Sequence, residues 1–169
     1  MPLEMFLKID GVAGESRNFQ HKGWADVVSW QWGLDRILYA NQEKGVIMNM
    51  GEISLVKAVG MDSSALMEMF AEGKTVANAV LSIIPSGGKR GSQQKYVEIK
   101  LQDVFVKSIS TGGDNEQNAL MEDVTLGFEK VQYTYHQYPN ATPDGKPGKP
   151  EYHAFGWDLE SGSSLAVET

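Results

Sequence analysis

A mainly β fold, closed into a barrel of two coiled antiparallel sheets with one short flanking α-helix, follows from three features of the 169-residue sequence. Most of the chain alternates apolar and polar residues with the period of two that a half-buried strand requires. Two long alternating runs switch their apolar phase midway. A strand that changes inner face partway along belongs to a strongly coiled sheet, and closure into a barrel is the usual reason for such a device. Only one stretch carries helical spacing and helix-end signals.

Taken in order, "MFLKI" puts Met5, Leu7 and Ile9 on one face and Phe6 and Lys8 on the other. A glycine-bearing turn, "GVAGES", leads to "DVVSWQW", in which Val28, Trp30 and Trp32 share a phase and Ser29 and Gln31 take the opposite one. Trp30 and Trp32 are therefore expected in the core, and Gln31 looks elsewhere. "EISLVKAV" and "ANAVLSII" read as further strands, the second ended by the loop "PSGGKRGSQQK". In "YVEIKLQDVFVKSIS" the phase runs Val97, Ile99, Leu101 and then Val104, Val106, a slip across Asp103 that predicts a β-bulge. "VTLGFEKVQYTY" slips in the same way, from Val124, Leu126 and Phe128 to Val131, Tyr133 and Tyr135.

The helix is expected in "MDSSALMEMFAEGK", with Asp62 or Ser63 as N-cap, a Leu66/Phe70 pair one turn apart and Gly73 just past the end. So short a helix depends on docking, and it is expected to plug one end of the barrel. Met67 and Met69 read as core or interface. Residues 35–52 form a long connection rich in Ile37, Leu38, Tyr39, Val46, Ile47, Met48 and Met50. Such a segment is too apolar to lie in water. It either packs against another subunit or folds back onto its own barrel. The proline-rich stretch 139–151 reads as a flexible loop and residues 160–169 as a loose tail, leaving one domain over residues 1–169.

Composition excludes several functions. A net charge of −7 leaves no basic stripe for nucleic acid. The absence of cysteine removes disulfides, thiolate metal sites and a cysteine nucleophile. No apolar run is long enough to span a bilayer, and charges at Glu4, Lys8 and Asp10 leave no signal-peptide core. His21, His136 and His153 show no metal-ligand spacing, and "SGGKRGS" lacks the spacing of a phosphate-binding loop. Glu98 and Asp103 read as a solvated strand face. No nucleophile–base pair is visible, no cofactor is called for, and an enzyme is not expected. The residues alone describe an acidic, one-helix barrel whose apolar loop wants a partner.

"MFLKIDGVAGES", "HKGWADVVSWQWG", "VEIKLQDVFVKSISTGG", "EDVTLGFEKVQYTY" and "AFGWDL", in that order, resemble the Hcp family, the hemolysin-coregulated proteins of bacterial type VI secretion systems. The resemblance implies a barrel like that of phage tail tubes. It also implies a homo-hexameric ring with a wide channel, and stacked rings forming the tube that a contractile sheath expels. Implied partners are the sheath, the VgrG-type spike trimer at the tip and small effector proteins in the channel. Export from the cytoplasm through the machine needs no signal peptide. Gln31, and with it Ser29, matches a position that faces the channel in this family. The loop holding Tyr39, Val46, Ile47, Met48 and Met50 matches one that reaches adjacent subunits or rings. The alternative is a stand-alone barrel that binds a ligand or cargo on its polar, aromatic-flanked face.

Overall fold

The computed structural model describes residues 2–38, 46–86, 94–138 and 149–167. Its strands are β1 (Leu3–Ile9), β2 (Ala25–Gln31), β3 (Leu34–Leu38), β4 (Val46–Met50), β5 (Ile53–Ala58), β6 (Thr75–Pro85), β7 (Val97–Gly112), β8 (Met121–Gly127), β9 (Lys130–Gln137), β10 (Glu151–Asp158) and β11 (Ser163–Ser164). The helix α1 (Asp62–Glu72) lies between β5 and β6. One continuous antiparallel sheet runs β11-β10-β9-β7-β6-β1-β2-β5-β8 and closes where β8 pairs with the second half of β7. The closed part is a six-stranded barrel. β7 is long enough to serve two neighbours on one edge, β9 along Val97–Gln102 and β8 along Phe105–Gly112.

Alternation fills the barrel. Leu7, Ile9, Leu55, Leu81, Ile99, Leu101, Val124 and Leu126 are all buried in one core. Both phase slips have structural counterparts, in forms that differ from simple bulges. At Asp103 the backbone takes φ 53, a left-handed value that aspartate tolerates better than most residues. The β6 register nonetheless stays continuous, because β6 changes its own inward face between Val76 and Ala79. The second slip is a break: residues 121–135 are two strands, with the chain leaving β8 at Gly127 and starting β9 at Lys130.

Other expectations need correction. A bulge between Val27 and Ser29 makes Val27, not Val28, the inward residue before Trp30, and Val28 is exposed. The helix N-cap is Met61, without a side-chain cap, because Asp62 and Ser63 are drawn inward to partners on the barrel. Gly73 does close the helix, with φ 62 and its N–H on the last turn. Leu66 and Met69 enter the core, whereas Phe70 and Met67 are exposed.

Residues 35–52 contain a hairpin of their own, β3 and β4, paired from Leu34↔Met50 to Leu38↔Val46. Its root is fixed by the Gly51 N–H donating to the Gly33 carbonyl at 2.9 Å. Of the loop expected over 139–151, residues 139–148 lie outside the described part, and β10 begins at Glu151. Residues expected as a loose tail are tied down: Ser163 and Ser164 pair with Asp158 and Trp157, and the Leu165 N–H donates to the Gly156 carbonyl at 3.1 Å.

A buried ion cluster docks the helix. Lys57 on β5 meets Glu122 on β8 and lies 3.1 Å from Asp62 Oδ2, and it donates to the Ala58 carbonyl at 2.8 Å. Ser63 donates from Oγ to the same Glu122 oxygen at 2.8 Å. Lys57 and Glu122 are essentially inaccessible to solvent.

Candidate functional site

The outer wall of β2, β5, β8 and the second half of β7 is built by the same pairing that builds the core. Opposed residues across antiparallel strands share a face. One row, Trp30↔Leu55↔Val124↔Ile109, points inward. The next row, Gln31↔Ser54↔Thr125↔Ser108, therefore points outward. Two residues along each strand lies the parallel row Ser29↔Val56↔Asp123↔Ser110. Ser54 Oγ and Thr125 Oγ1 lie 3.5 Å apart, a loose contact that leaves both hydroxyls free to turn outward.

Of these eight side chains only Asp123 is charged and only Val56 is apolar. At one margin Lys107 is paired with Glu52 and holds its carboxyl below the usual carboxylate range. Apart from Asp123, such a wall offers hydroxyl and amide groups that make weak, exchangeable hydrogen bonds.

Gln31 and Ser29 both sit exposed on this wall. Trp30 and Trp32 are half-buried and pack against the core from the inner side. Trp32 donates from Nε1 to the Gly51 carbonyl at 2.9 Å and stacks near Tyr133, with ring centres 6.4 Å apart. Met50 packs against the core and Met48 is half-buried. Val46 and Ile47 lie in β4, their side chains outside what is described, and Tyr39 is outside the described residues.

The opposite wall, formed by β1, β6, the first half of β7 and β9, holds what sequence spacing missed. Glu98 is buried there, 2.6 Å from Lys95 Nζ and 3.7 Å from Lys100 Nζ, and is not on a solvated face. His21 Nε2 lies 2.8 Å from Ser82 Oγ, with Nδ1 3.2 Å from Asn18 Oδ1. This is a nucleophile–base–orienter geometry, invisible in sequence because 61 residues separate His21 from Ser82. Yet Ser82 is 1% exposed and His21 4%, with Phe6 and Trp24 closing over the ring, so no substrate carbonyl reaches Ser82. No group of three potential metal ligands exists among the described residues. Nor is any helix among them long and apolar enough to cross a membrane.

The fold and the wall define a closed antiparallel barrel with one helix docked by buried charges and one face of small, mostly uncharged side chains. The family model "Type VI secretion system effector, Hcp" matches residues 6–135, and the chain belongs to that family. The protein hcp1 of Pseudomonas aeruginosa is 34% identical over 163 residues, spanning 94% of this chain and 96% of the relative. Hcp1 from Salmonella typhimurium superposes with a TM-score of 0.73 at 25% identity, covering 98% of this chain and 100% of that one. A further type six secretion system protein reaches a TM-score of 0.80 at 21% identity, covering 97% and 100%. The chain is thus a β-barrel tube protein of the type VI secretion system.

Proposed function

We propose that the chain forms six-membered rings whose channel is lined by the β2–β5–β8–β7 wall, with Gln31 and Ser29 facing what passes through. The observation that carries this reading is the pair of in-register outward rows of small, mostly uncharged polar residues. A sheet face left in solvent by an isolated barrel has no need to be so free of long charged side chains. The channel of an assembled ring does, since cargo must bind and also leave. Stacked rings then form the tube, bounded by the contractile sheath and tipped by the spike trimer, with small effectors carried inside and export proceeding without a signal peptide. The role is mechanical and protective, with no catalytic step.

Ring closure needs two different patches on each subunit. The β3–β4 hairpin, which forms a two-stranded sheet of its own among the described residues and exposes Leu34 and Ile37, is suited to one of them. Tyr39, Val46, Ile47, Met48 and Met50 belong to this proposed contact. The stand-alone binding reading has one supporting feature, an open groove of about 480 Å³ beside β1 lined in part by Glu4, Arg17, Asn18 and Asp26.

Light scattering after size exclusion separates the two: a six-subunit mass is expected, and a strict monomer at high micromolar concentration overturns the ring. Gln31→Arg is expected to leave that mass unchanged while reducing co-purified cargo. Loss of the ring in this variant would place Gln31 in an interface instead.

A further inference from the structure

We propose that the strap joining β1 to β2, residues 10–24, is an acid-released clamp held shut by the neutral imidazole of His21. This goes beyond the ring reading, because every contact involved lies within one subunit.

The strap is a folded loop. Gly14 N–H donates to the Gly23 carbonyl at 2.8 Å, Gly23 N–H to Ser16 O at 2.9 Å, and Ser16 N–H to Trp24 O at 2.9 Å. It lies over the sheet face that carries Phe6 and Ser82, and His21 is the side chain that binds it there. The ring stacks on Phe6 at 4.5 Å and 9°, meets the Trp24 ring edgewise at 4.7 Å, and reaches Ser82.

Its protonation state is fixed by its partners. Asn18 Oδ1 accepts from the backbone N–H groups of Gln20 and His21, which identifies that atom as the oxygen. His21 Nδ1 must then carry hydrogen and donate to it. Nε2 is left to accept from the Ser82 hydroxyl, and this holds only for the neutral ring. A second proton on Nε2 turns Ser82 into an acceptor, leaves its hydroxyl hydrogen seeking a new partner, and places a charge in a site 4% exposed.

The charged groups around the ring do not rescue that charge. Glu98 on β7 favours it, but its two oxygens are already engaged by Lys95 and Lys100. Lys95 opposes it, and Lys8 on β1 sits 5.9 Å over the Trp24 ring on the strap side. Glu4 on β1 is tied to Asn18 Nδ2 at 3.2 Å. From β9, His136 shares the influence of Glu98 and Lys95, its Nε2 buried with no hydrogen-bond partner among the described residues. Burial first, then Lys95, lowers the affinity of His21 for protons below the ordinary imidazole value of 6.5, against the pull of Glu98. The folded strap therefore binds fewer protons than the open one. Its closure is fully favoured above the ordinary value and weakens as the pH falls below it.

Release bares Phe6 and Ser82 on the wall opposite the polar rows and frees the strap tip, where Phe19 is already exposed. A chain closed at neutral pH would become adhesive on that wall in an acidified compartment.

Amide hydrogen exchange, expressed as protection relative to the intrinsic rate at each pH, tests the clamp. Between about pH 7.5 and about pH 5, protection at Gly14, Ser16 and Gly23 is expected to fall by about tenfold or more while β7 and β8 keep theirs. Unchanged strap protection, or an equal fall throughout the barrel, overturns the proposal. In His21→Gln the strap is expected to lose its pH dependence, and a persisting dependence assigns the release to another group and refutes the role of His21. Should that variant not fold, Ser82→Ala gives an independent readout. Without the Ser82 donor, the His21 ring is expected to titrate at higher pH by NMR, with strap release moving upward alongside it. Release that stays in place in Ser82→Ala overturns the clamp.

Discussion

Lys57→Met removes the ammonium from a buried site with two carboxylates while keeping most of the apolar stem. In the native chain Lys57 faces Glu122, Asp62 and the Ala58 carbonyl; among the described residues Asp62 Oδ2 has no partner beyond this ion pair, and Glu122 Oε2 has no hydrogen-bond partner. Without Lys57 both carboxylates lose their counter-charge in a site nearly closed to solvent. Only the Ser63 hydroxyl remains for Glu122, and only the helix N-terminus for Asp62. Breaking a buried pair from one side typically costs about 3–5 kcal/mol, whereas the stem loss is small for a Lys-to-Met change. Urea unfolding at neutral pH reads this directly. With an m-value of about 2 kcal/mol per molar, the midpoint should fall by about 2 M. Adding Glu122→Leu should restore about 2 kcal/mol or more, because it removes one of the two stranded carboxylates and leaves only Asp62 unpaired, at the helix N-terminus. A single-variant loss below about 1 kcal/mol, or a double variant no more stable than the single, would refute the claim that these charges dock the helix.

Trp30→Ala should cost about 2 kcal/mol in the same assay, less than for a fully enclosed tryptophan, because the ring is half-buried. Phe70→Ser, on the outward side of the helix, should change subunit stability by less than about 1 kcal/mol; a larger loss would mean that Phe70 belongs to the core after all. Gly14→Ala would set a methyl 2.3 Å from the Trp24 carbonyl oxygen, so the strap backbone must shift. Thermal unfolding should show a loss of about 1–3 kcal/mol, and exchange should quicken at Ser16 and Gly23.

Local alternation made the barrel readable. A residue's inward or outward direction in Leu7, Leu55, Ile99 or Val124 is set by its own strand, and a period of two records it in the sequence. Val28 misled because two valines stand side by side, so that a bulge can seat either one inward, and only the register with β5 decides. The slip at Phe128 was visible, but a bulge and a chain break give the same phase change. Asp62 and Ser63 have the composition of helix caps, and it is Lys57 and Glu122 that divert them. Lys57 and the His21–Ser82 pair were hidden because their partners are distant in sequence, 65 residues for Lys57 and Glu122 and 61 for His21 and Ser82. Glu98 was hidden although Lys95 and Lys100 stand close by, because nothing in the local pattern marks a polar residue as buried. Gln31 and Ser29 could be assigned to the outer side from alternation. That Ser54, Thr125 and Ser108 line up with Gln31 required the strand order.

The two rows of the polar wall have an evolutionary consequence. Because inward and outward residues alternate along each strand, Trp30, Leu55, Val124 and Ile109 carry stability, while the neighbouring Gln31, Ser54, Thr125 and Ser108 touch none of that packing. Selection can therefore rewrite the outer rows one residue at a time without paying in foldedness. If the wall lines a channel as proposed, a lineage whose passengers change has in it a palette that drifts freely over an unchanging frame.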